Sequence, residues 1–510
     1  MKTLLLAITA LPVFMNEMSF AQAGNLDPAF NKQGFVTISV GTSSSASGLA
    51  VQPDGKIVAV GNSSNGTNND IVLLRYKPNG KPDLSFGSGG KVITDLGGNE
   101  SAYSTTVLAN GKILVAGGKE ADFLLARYNK NGSLDSSFGT NGITVTDFDN
   151  KEETAFSMAL QADGKIVLGG SSEYDNRFVM ARYKANGSPD LSFGINGKAV
   201  LHFHTFYYVN CHAVAVQNDG KIVAAGMGPK KSDFLVVRLN SNGSLDSSFG
   251  KSGKAVTDIS TFDRGNGMAI FPDGGIIVAG SSANPPDYTY FSLMKYSTNG
   301  QVDKSFGNKG NIQTYFFDDY NWAYDQAAFA VLIQADGKIM AAGTEYGNFH
   351  FAIARYQSNG KLDKSFGNNG KVITYEGESV AALAQQQDGK IIAAGSASNG
   401  GIIIARYIAD DTLSSKLKDG LALRSSENGN FKTVKVYPNP VQSVLNVQFN
   451  NLSSSLKTIN IYTSDGRLLR IKSVVTNTQL DMKSLTPGTY LIKINDEKGN
   501  ELYYGKVIKE

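Results

Sequence analysis

An all-β fold is predicted for this chain, a seven-bladed β-propeller followed by a small C-terminal β-sandwich. Three marks recurring in one fixed order carry that prediction. The first is an Asp-Gly-Lys turn or a close variant, with its glycine at Gly55, Gly111, Gly164, Gly220, Gly274, Gly337 and Gly389. The second is a Leu-Asp-x-Ser-Phe-Gly connection or a variant, with its phenylalanine at Phe30, Phe86, Phe138, Phe193, Phe249, Phe306 and Phe366. The third is Ala-Arg-Tyr or a variant, centred on Arg75, Arg127, Arg182, Arg238, Lys295, Arg355 and Arg406. A unit of about 55 residues thus repeats from Leu26 to Tyr407. A period of this size signals a solenoid, a propeller or an array, and one short β-helix coil is too small to hold it.

Each unit supplies four short strands. Around Gly111 they are Lys91–Thr94, Ala102–Leu108, Lys112–Gly117 and Phe123–Tyr128. All are rich in β-branched and aromatic residues and bounded by Gly, Asn, Asp or Ser. Asn-Gly and Asp-Gly mark the hairpins, because both residues tolerate positive φ. No long 3.6-residue period supports a helix.

The strand before each Asp-Gly turn is predicted to be innermost. It carries small residues such as Gly48, Ala50, Ser157, Ala159, Ala213, Ala215, Gly267, Ala269, Ala382 and Ala384, and only small side chains fit where seven strands crowd an axis. Those positions argue against a polar central channel. The Lys-Ile-Val-Ala-Gly strand follows, then the Ala-Arg-Tyr strand, then an outermost Gly-Lys-Val-Ile-Thr strand. The last unit ends after its third strand, Ile402–Tyr407, while the first begins with an outer-type strand, Phe35–Ile38. The entry segment is therefore expected to complete the seventh blade and remove its exposed edges. An Asp follows each middle-unit Arg or Lys by eight residues, as Asp135 follows Arg127. Arg406 has no Asp ahead of it, and Asp27 is its expected partner.

Net charge is +3 with 18% charged residues, which gives no reason to expect nucleic acid or a strongly acidic partner. The single cysteine, Cys211, excludes an intramolecular disulfide and reads as a small buried residue. Met1-Lys2, the apolar stretch Leu4–Phe14 and Ala21-Gln22-Ala23 read as a signal peptide over residues 1–23. No later segment is long and apolar enough for a transmembrane span. The propeller is assigned to 24–410, a polar linker to 411–433 and a separate β module to 434–510.

The repeat region resembles the bacterial delta-60 repeat, a β-propeller repeat of unassigned chemistry. Val51-Gln52-Pro53-Asp54-Gly55-Lys56, Leu125-Ala126-Arg127-Tyr128-Asn129 and Gly132-Ser133-Leu134-Asp135-Ser136-Ser137-Phe138-Gly139 carry this resemblance. Unit five departs from it with Gly275 for Lys and Lys295 for Arg. The last residues resemble the C-terminal sorting domain of the type IX secretion system of the Bacteroidetes. Tyr437-Pro438-Asn439-Pro440, Gly466-Arg467, Pro487-Gly488-Thr489-Tyr490 and Lys506-Val507-Ile508-Lys509 fit it in order. That resemblance implies export through the periplasm to the cell surface or beyond, with the secretion machinery as partner of residues 434–510. In that family the sorting domain is usually removed, and the cargo is released or attached to surface lipopolysaccharide.

No nucleophile elbow, zincin helix, phosphate loop or paired-cysteine site is present. No catalytic residue, metal ligand or cofactor is assigned. The segment 201–212 holds three of the four histidines, His202, His204 and His212, but zinc needs three or four converging ligands, and ordinary polar loop residues are the simpler reading. The Asn129–Asp135 turn has the look of a calcium loop. Its equivalents in other units do not supply carboxylates, so Asp135 is read as capping backbone N–H groups or pairing with Arg127.

The Asp-Gly and Ser-Phe-Gly connections barely change between units and belong to one face. The connections of the opposite face differ in every unit, so function is expected there. The candidate binding residues are the aromatics of its long loops: Phe317, Tyr320 and Trp322, Tyr207 and Tyr208, and Tyr288 and Tyr290. Rings among Asp and Asn suit a glycan or a protein surface, although capping of the propeller core is the simpler reading of them. The favoured reading is a secreted or surface-held binding scaffold. The alternative is a secreted polysaccharide hydrolase or lyase using Asp318, Asp319 or the histidines, to be favoured if acidic or His side chains converge at the loop face.

Overall fold

The structure, a computed structural model, describes residues 22–149, 151–172, 176–203, 209–228, 233–283, 289–316, 326–345 and 349–409. Toward the C-terminus it describes 433–437, 440–450, 457–463, 468–483, 485–486, 488–496 and 501–509. The chain divides into two compact units, Met1–Thr412 and Leu413–Glu510.

In the first unit the described strands form seven four-stranded antiparallel sheets. Blade one pairs Ser43–Val51, Ile57–Ser64, Asn69–Tyr76 and Lys91–Thr94 in that order. The inner strands of the next six blades are Glu100–Val107, Glu153–Leu160, Asn210–Val216, Phe262–Ile270, Gln326–Ile333 and Gly377–Gln385. Each packs on the next, and the seventh packs on the first, which closes the ring. Crowding there is real: a Cβ at Gly48 would lie 3.1 Å from the Tyr103 carbonyl oxygen, and one at Gly267 would lie 2.7 Å from that of Phe329. Cys211 is fully buried on its inner strand, and burial pushes its thiol pKa far up.

The seventh blade closes as expected. Phe35–Ile38 pairs antiparallel with Ile402–Tyr407, placing Phe35 opposite Ala405 and Ile38 opposite Ile402. Asp27 pairs with Arg406 at 2.9 Å. Ala23 is buried, and its carbonyl accepts the Gly367 N–H at 2.8 Å. The expected leader boundary therefore falls inside a contact of the blade ring.

One feature departs from a uniform strand alternation. Every inner strand carries a β-bulge at the same place, for example between Ala102 and Ser104, Cys211 and Ala213, and Gly265 and Gly267. The extra residue is Ser47, Tyr103, Phe156, His212, Asn266, Phe329 or Ala381. Those of Tyr103, Phe156, His212 and Asn266 reach the neighbouring blade. Tyr103 and Phe156 meet edge to face at 5.0 Å, and Phe156 and His212 at 5.6 Å. His212 Nδ1 lies 2.9 Å from the Gly265 carbonyl, and Asn266 donates to that of Ala328 at 2.9 Å. The inner ring is thus not lined by small apolar residues alone, because one extra residue per strand reverses the parity that alternation would give.

The bulge also explains the glycine within each second strand, opposite the bulge, as at Gly61, Gly170, Gly226 and Gly343. A Cβ at Gly226 would sit 1.8 Å from the Asn210 carbonyl oxygen, and one at Gly343 would sit 1.9 Å from that of Ala327.

The other repeat marks form one blade-to-blade junction. Arg127 donates from Nε to Asp135 at 2.6 Å and from Nη2 to Ser137 at 3.3 Å, and it reaches the Ala185 carbonyl of the next blade at 2.7 Å. Its guanidinium lies 4.4 Å over the Phe138 ring. The Lys of the Asp-Gly-Lys turn joins the same carboxylate, with Lys112 Nζ 2.6 Å from Asp135. Asp135 also accepts from the Ser137 N–H and hydroxyl, so it is the capping and pairing residue the sequence suggests. Burial alone would raise its pKa, but the bonds from Lys112, Ser137 and Arg127 hold it well below the usual carboxylate range. In blade five, Gly275 removes that Lys, and Asp303 keeps Lys295 at 3.0 Å.

The second unit consists of two sheets, Thr433–Tyr437, Val444–Asn450 and Thr478–Asp481 against Leu468–Val474, Lys457–Thr463, Gly488–Asp496 and Glu501–Lys509. Leu445, Val447, Ile459, Ile461, Ile492 and Ile494 fill the core of this sandwich. Among the described residues no helix is long and apolar enough to cross a membrane.

Candidate functional site

The Lys112–Asp135 contact and its equivalents tie the two constant connections together at one end of the blades. The opposite end is therefore the variable face. Of the aromatic candidates on that face, the structure places Tyr290, on the third strand of blade five, Thr289–Tyr296. Its ring meets Tyr315 edge to face at 6.0 Å. Phe317, Tyr320, Trp322, Tyr207, Tyr208 and Tyr288 lie outside the described residues, as do Asp318, Asp319 and His204. His202 is exposed at the end of Lys198–His202, while His212 serves the inner ring.

A cavity of about 360 Å³ opens on this face between blades four, five and six. Its lining includes Phe262, Arg264, Asn266, Thr289, Gln326 and Phe329. The volume is within the range of small-ligand pockets, and rings beside a few polar groups are their usual lining. Phe262 is 49% exposed, large for an uncommitted ring on a propeller strand. Gln326 is anchored by the Phe316 N–H, which its Oε1 accepts at 3.1 Å. Along the sequence, the lining residues Ala283 and Thr289 bound segment 284–288, and Gln326 directly follows segment 317–325, where the candidates Tyr288, Phe317, Tyr320 and Trp322 occur. The sequence reading missed Phe262, Arg264, Asn266 and Phe329 because they belong to inner strands, taken there as scaffold. The available signal was Phe262-Asp263-Arg264, bulky and charged where other units begin that strand with smaller residues.

Carboxylates do converge on the variable face, at three corresponding blade junctions. Asp70, Asp95 and Glu100 form one group, Asp122, Asp147 and Glu153 a second, and Asp233, Asp258 and Asp263 a third, each with oxygens within 4.8 Å of one another. Asp263 borders the cavity, but its oxygens take the Ile259 N–H at 2.7 Å and the Ser260 N–H and hydroxyl at 3.1 and 2.8 Å. Burial raises its pKa, and Asp258 adds to the rise. In the second group Arg177 pairs with Glu153 at 2.5 Å. Burial still lifts Glu153 to about 7 despite that guanidinium. A pattern repeated at three junctions, with Asp263 committed to loop backbone and Glu153 to Arg177, is a feature of the repeat rather than a single acid–base pair.

Seven segments, residues 52–86, 108–138, 161–193, 217–249, 272–306, 334–366 and 386–413, match the family described as domain of unknown function (DUF5122) beta-propeller. Residues 435–510 match the secretion system C-terminal sorting domain. No curated protein matches the chain. Among solved structures, the type-IX secretion surface component PorZ of Porphyromonas gingivalis is 12% identical at TM-score 0.43, over 93% of this chain and 60% of its own length. A fungal alcohol oxidase of the AA5 family, in complex with copper, is 12% identical at TM-score 0.42, over 93% of this chain and 98% of its own. Likenesses at this level say nothing of ligand or activity.

Proposed function

Because the chain belongs to the DUF5122 β-propeller family and carries a C-terminal sorting domain that directs it through type IX secretion to the cell surface or the extracellular space, we propose that it is a binding scaffold recognising a glycan or a protein at its variable face. The observation that carries this reading is the cavity bordered by Phe262, Arg264, Asn266 and Phe329 on the variable face. Rings stack on sugar faces, and Arg and Asn hydrogen-bond hydroxyls or backbone amides.

A glycan array probed with the mature chain tests it, followed by Phe262→Ala and Trp322→Ala on any hit. Loss of an anchoring ring is expected to cost on the order of 2 kcal/mol of affinity, with the melting temperature unchanged. A large fall in melting temperature with affinity intact would make the rings structural. New reducing ends in the bound glycan would instead favour the hydrolase or lyase alternative.

A further inference from the structure

We propose that the junction of blades one and two holds a calcium ion, bound by Asp70, Asp95 and Glu100. Asp70 is remote in sequence from Asp95 and Glu100, and the three meet because each stands at a strand end on the variable face. Asp70 lies in the third strand of blade one, Asp95 directly follows that blade's outer strand, and Glu100 begins the inner strand of blade two. One oxygen from each lies within 4.8 Å of the others. Three carboxylates are a donor set suited to calcium, whereas magnesium usually keeps several waters and takes one or two carboxylates.

The independent sign of a missing cation is Asp70. It is 6% exposed, and its Oδ1 has no hydrogen-bond partner among the described residues. Its Oδ2 takes only a long bond from Asn65, at 3.3 Å. An anionic oxygen sealed from water without a donor is costly unless a cation meets it.

The local charge does not close without one. Lys119 Nζ is 3.4 Å from Glu100, but it is shared with the Leu96 and Gly97 carbonyls at 2.9 and 2.7 Å. Three carboxylates against one ammonium leave two negative charges, which a divalent ion matches.

The corresponding junctions carry their own solutions. Arg177 meets Glu153 in the second group, and Asp263 takes three donors from its loop in the third. Among the described residues, Asp70 Oδ1 of the first group and Glu153 Oε2 of the second are bare buried oxygens, but Glu153 has Arg177 as its counterion at 2.5 Å, whereas no cationic side chain pairs with Asp70.

The test uses the full mature chain, stripped with a chelator and titrated with calcium alone in a calorimeter. Saturable uptake and a raised melting temperature are expected, with magnesium at least tenfold weaker. Asp95 is exposed, so Asp95→Asn should fold normally and lose one calcium equivalent. Asp70→Asn should lose the same equivalent. The proposal is overturned if the wild type takes up no calcium at millimolar concentration, or if Asp95→Asn and the wild type take up equal amounts.

Discussion

Asp27 and Arg406 stand at opposite ends of the propeller sequence and form an ion pair at 2.9 Å, with Lys390 Nζ 3.3 Å from the same aspartate oxygen. Both members of the pair are about 95% buried, at 5% and 4% exposure. The pair reproduces, across the closure, the Arg–Asp contact that other blades make within one connection.

Removing one partner strands the other charge in the core. Asp27→Ala is expected to lower stability by about 3 kcal/mol in urea unfolding. The blade-five counterpart, Lys295 with Asp303, has side chains 20% and 26% exposed, and Lys295→Ala should cost below about 1 kcal/mol. Equal losses at the two sites would contradict this account of the closure.

Two glycines of blade four separate packing from backbone strain. Gly226→Ala drives a Cβ to 1.8 Å from the Asn210 carbonyl oxygen and should cost on the order of 4 kcal/mol or abolish soluble expression. Gly220 has φ +83 and nothing within 4 Å of a built Cβ, so Gly220→Ala should cost only about 1–2 kcal/mol of conformational strain. Circular dichroism melts of the two variants provide the comparison.

His212 makes the propeller sensitive to mild acid. Removal of its ring from water, with Arg264 adding, lowers its pKa from 6.5 to about 4, against the opposing pull of the Gly265 carbonyl. As pH falls the unfolded chain takes up the proton first. The contribution of the neutral ring is therefore complete above pH 6.5 and is lost as pH falls toward 4. Between those values the wild type should lose on the order of 2 kcal/mol more than His212→Gln in denaturant titrations. Parallel pH curves would show that the ring does not titrate in this way.

Deleting residues 434–510 should leave a propeller that melts as a cooperative unit, because the two units have separate cores. The truncated chain is expected to accumulate in the periplasm, as fractionation would show. Normal surface display of the truncation would refute the sorting role.

Blade order, closure and the Asp27–Arg406 pair were legible because each rests on a spacing that recurs, so one missing member announces its replacement. The bulges were not, because alternation assumes one residue per rung, and nothing local marks the rung where Tyr103 or His212 is added. The Lys of Asp-Gly-Lys read as a turn residue; its bond to Asp135 joins two connections that sequence does not place side by side. The cavity was legible only as a face. Phe262 and Phe329 come from strands of different blades, and their convergence depends on ring geometry rather than on any local motif.

The pairing of Phe35–Ile38 with Ile402–Tyr407 also sets an order of events during synthesis. The first strand of the propeller has no partner until the last one has been made. Individual hairpins close quickly, but contacts between distant segments form slowly and late. The entropy of closing so long a loop rises only logarithmically with length, so the delay is kinetic rather than a lasting loss of stability. The seventh blade, and with it the ring, therefore cannot close until the final repeat has been synthesised.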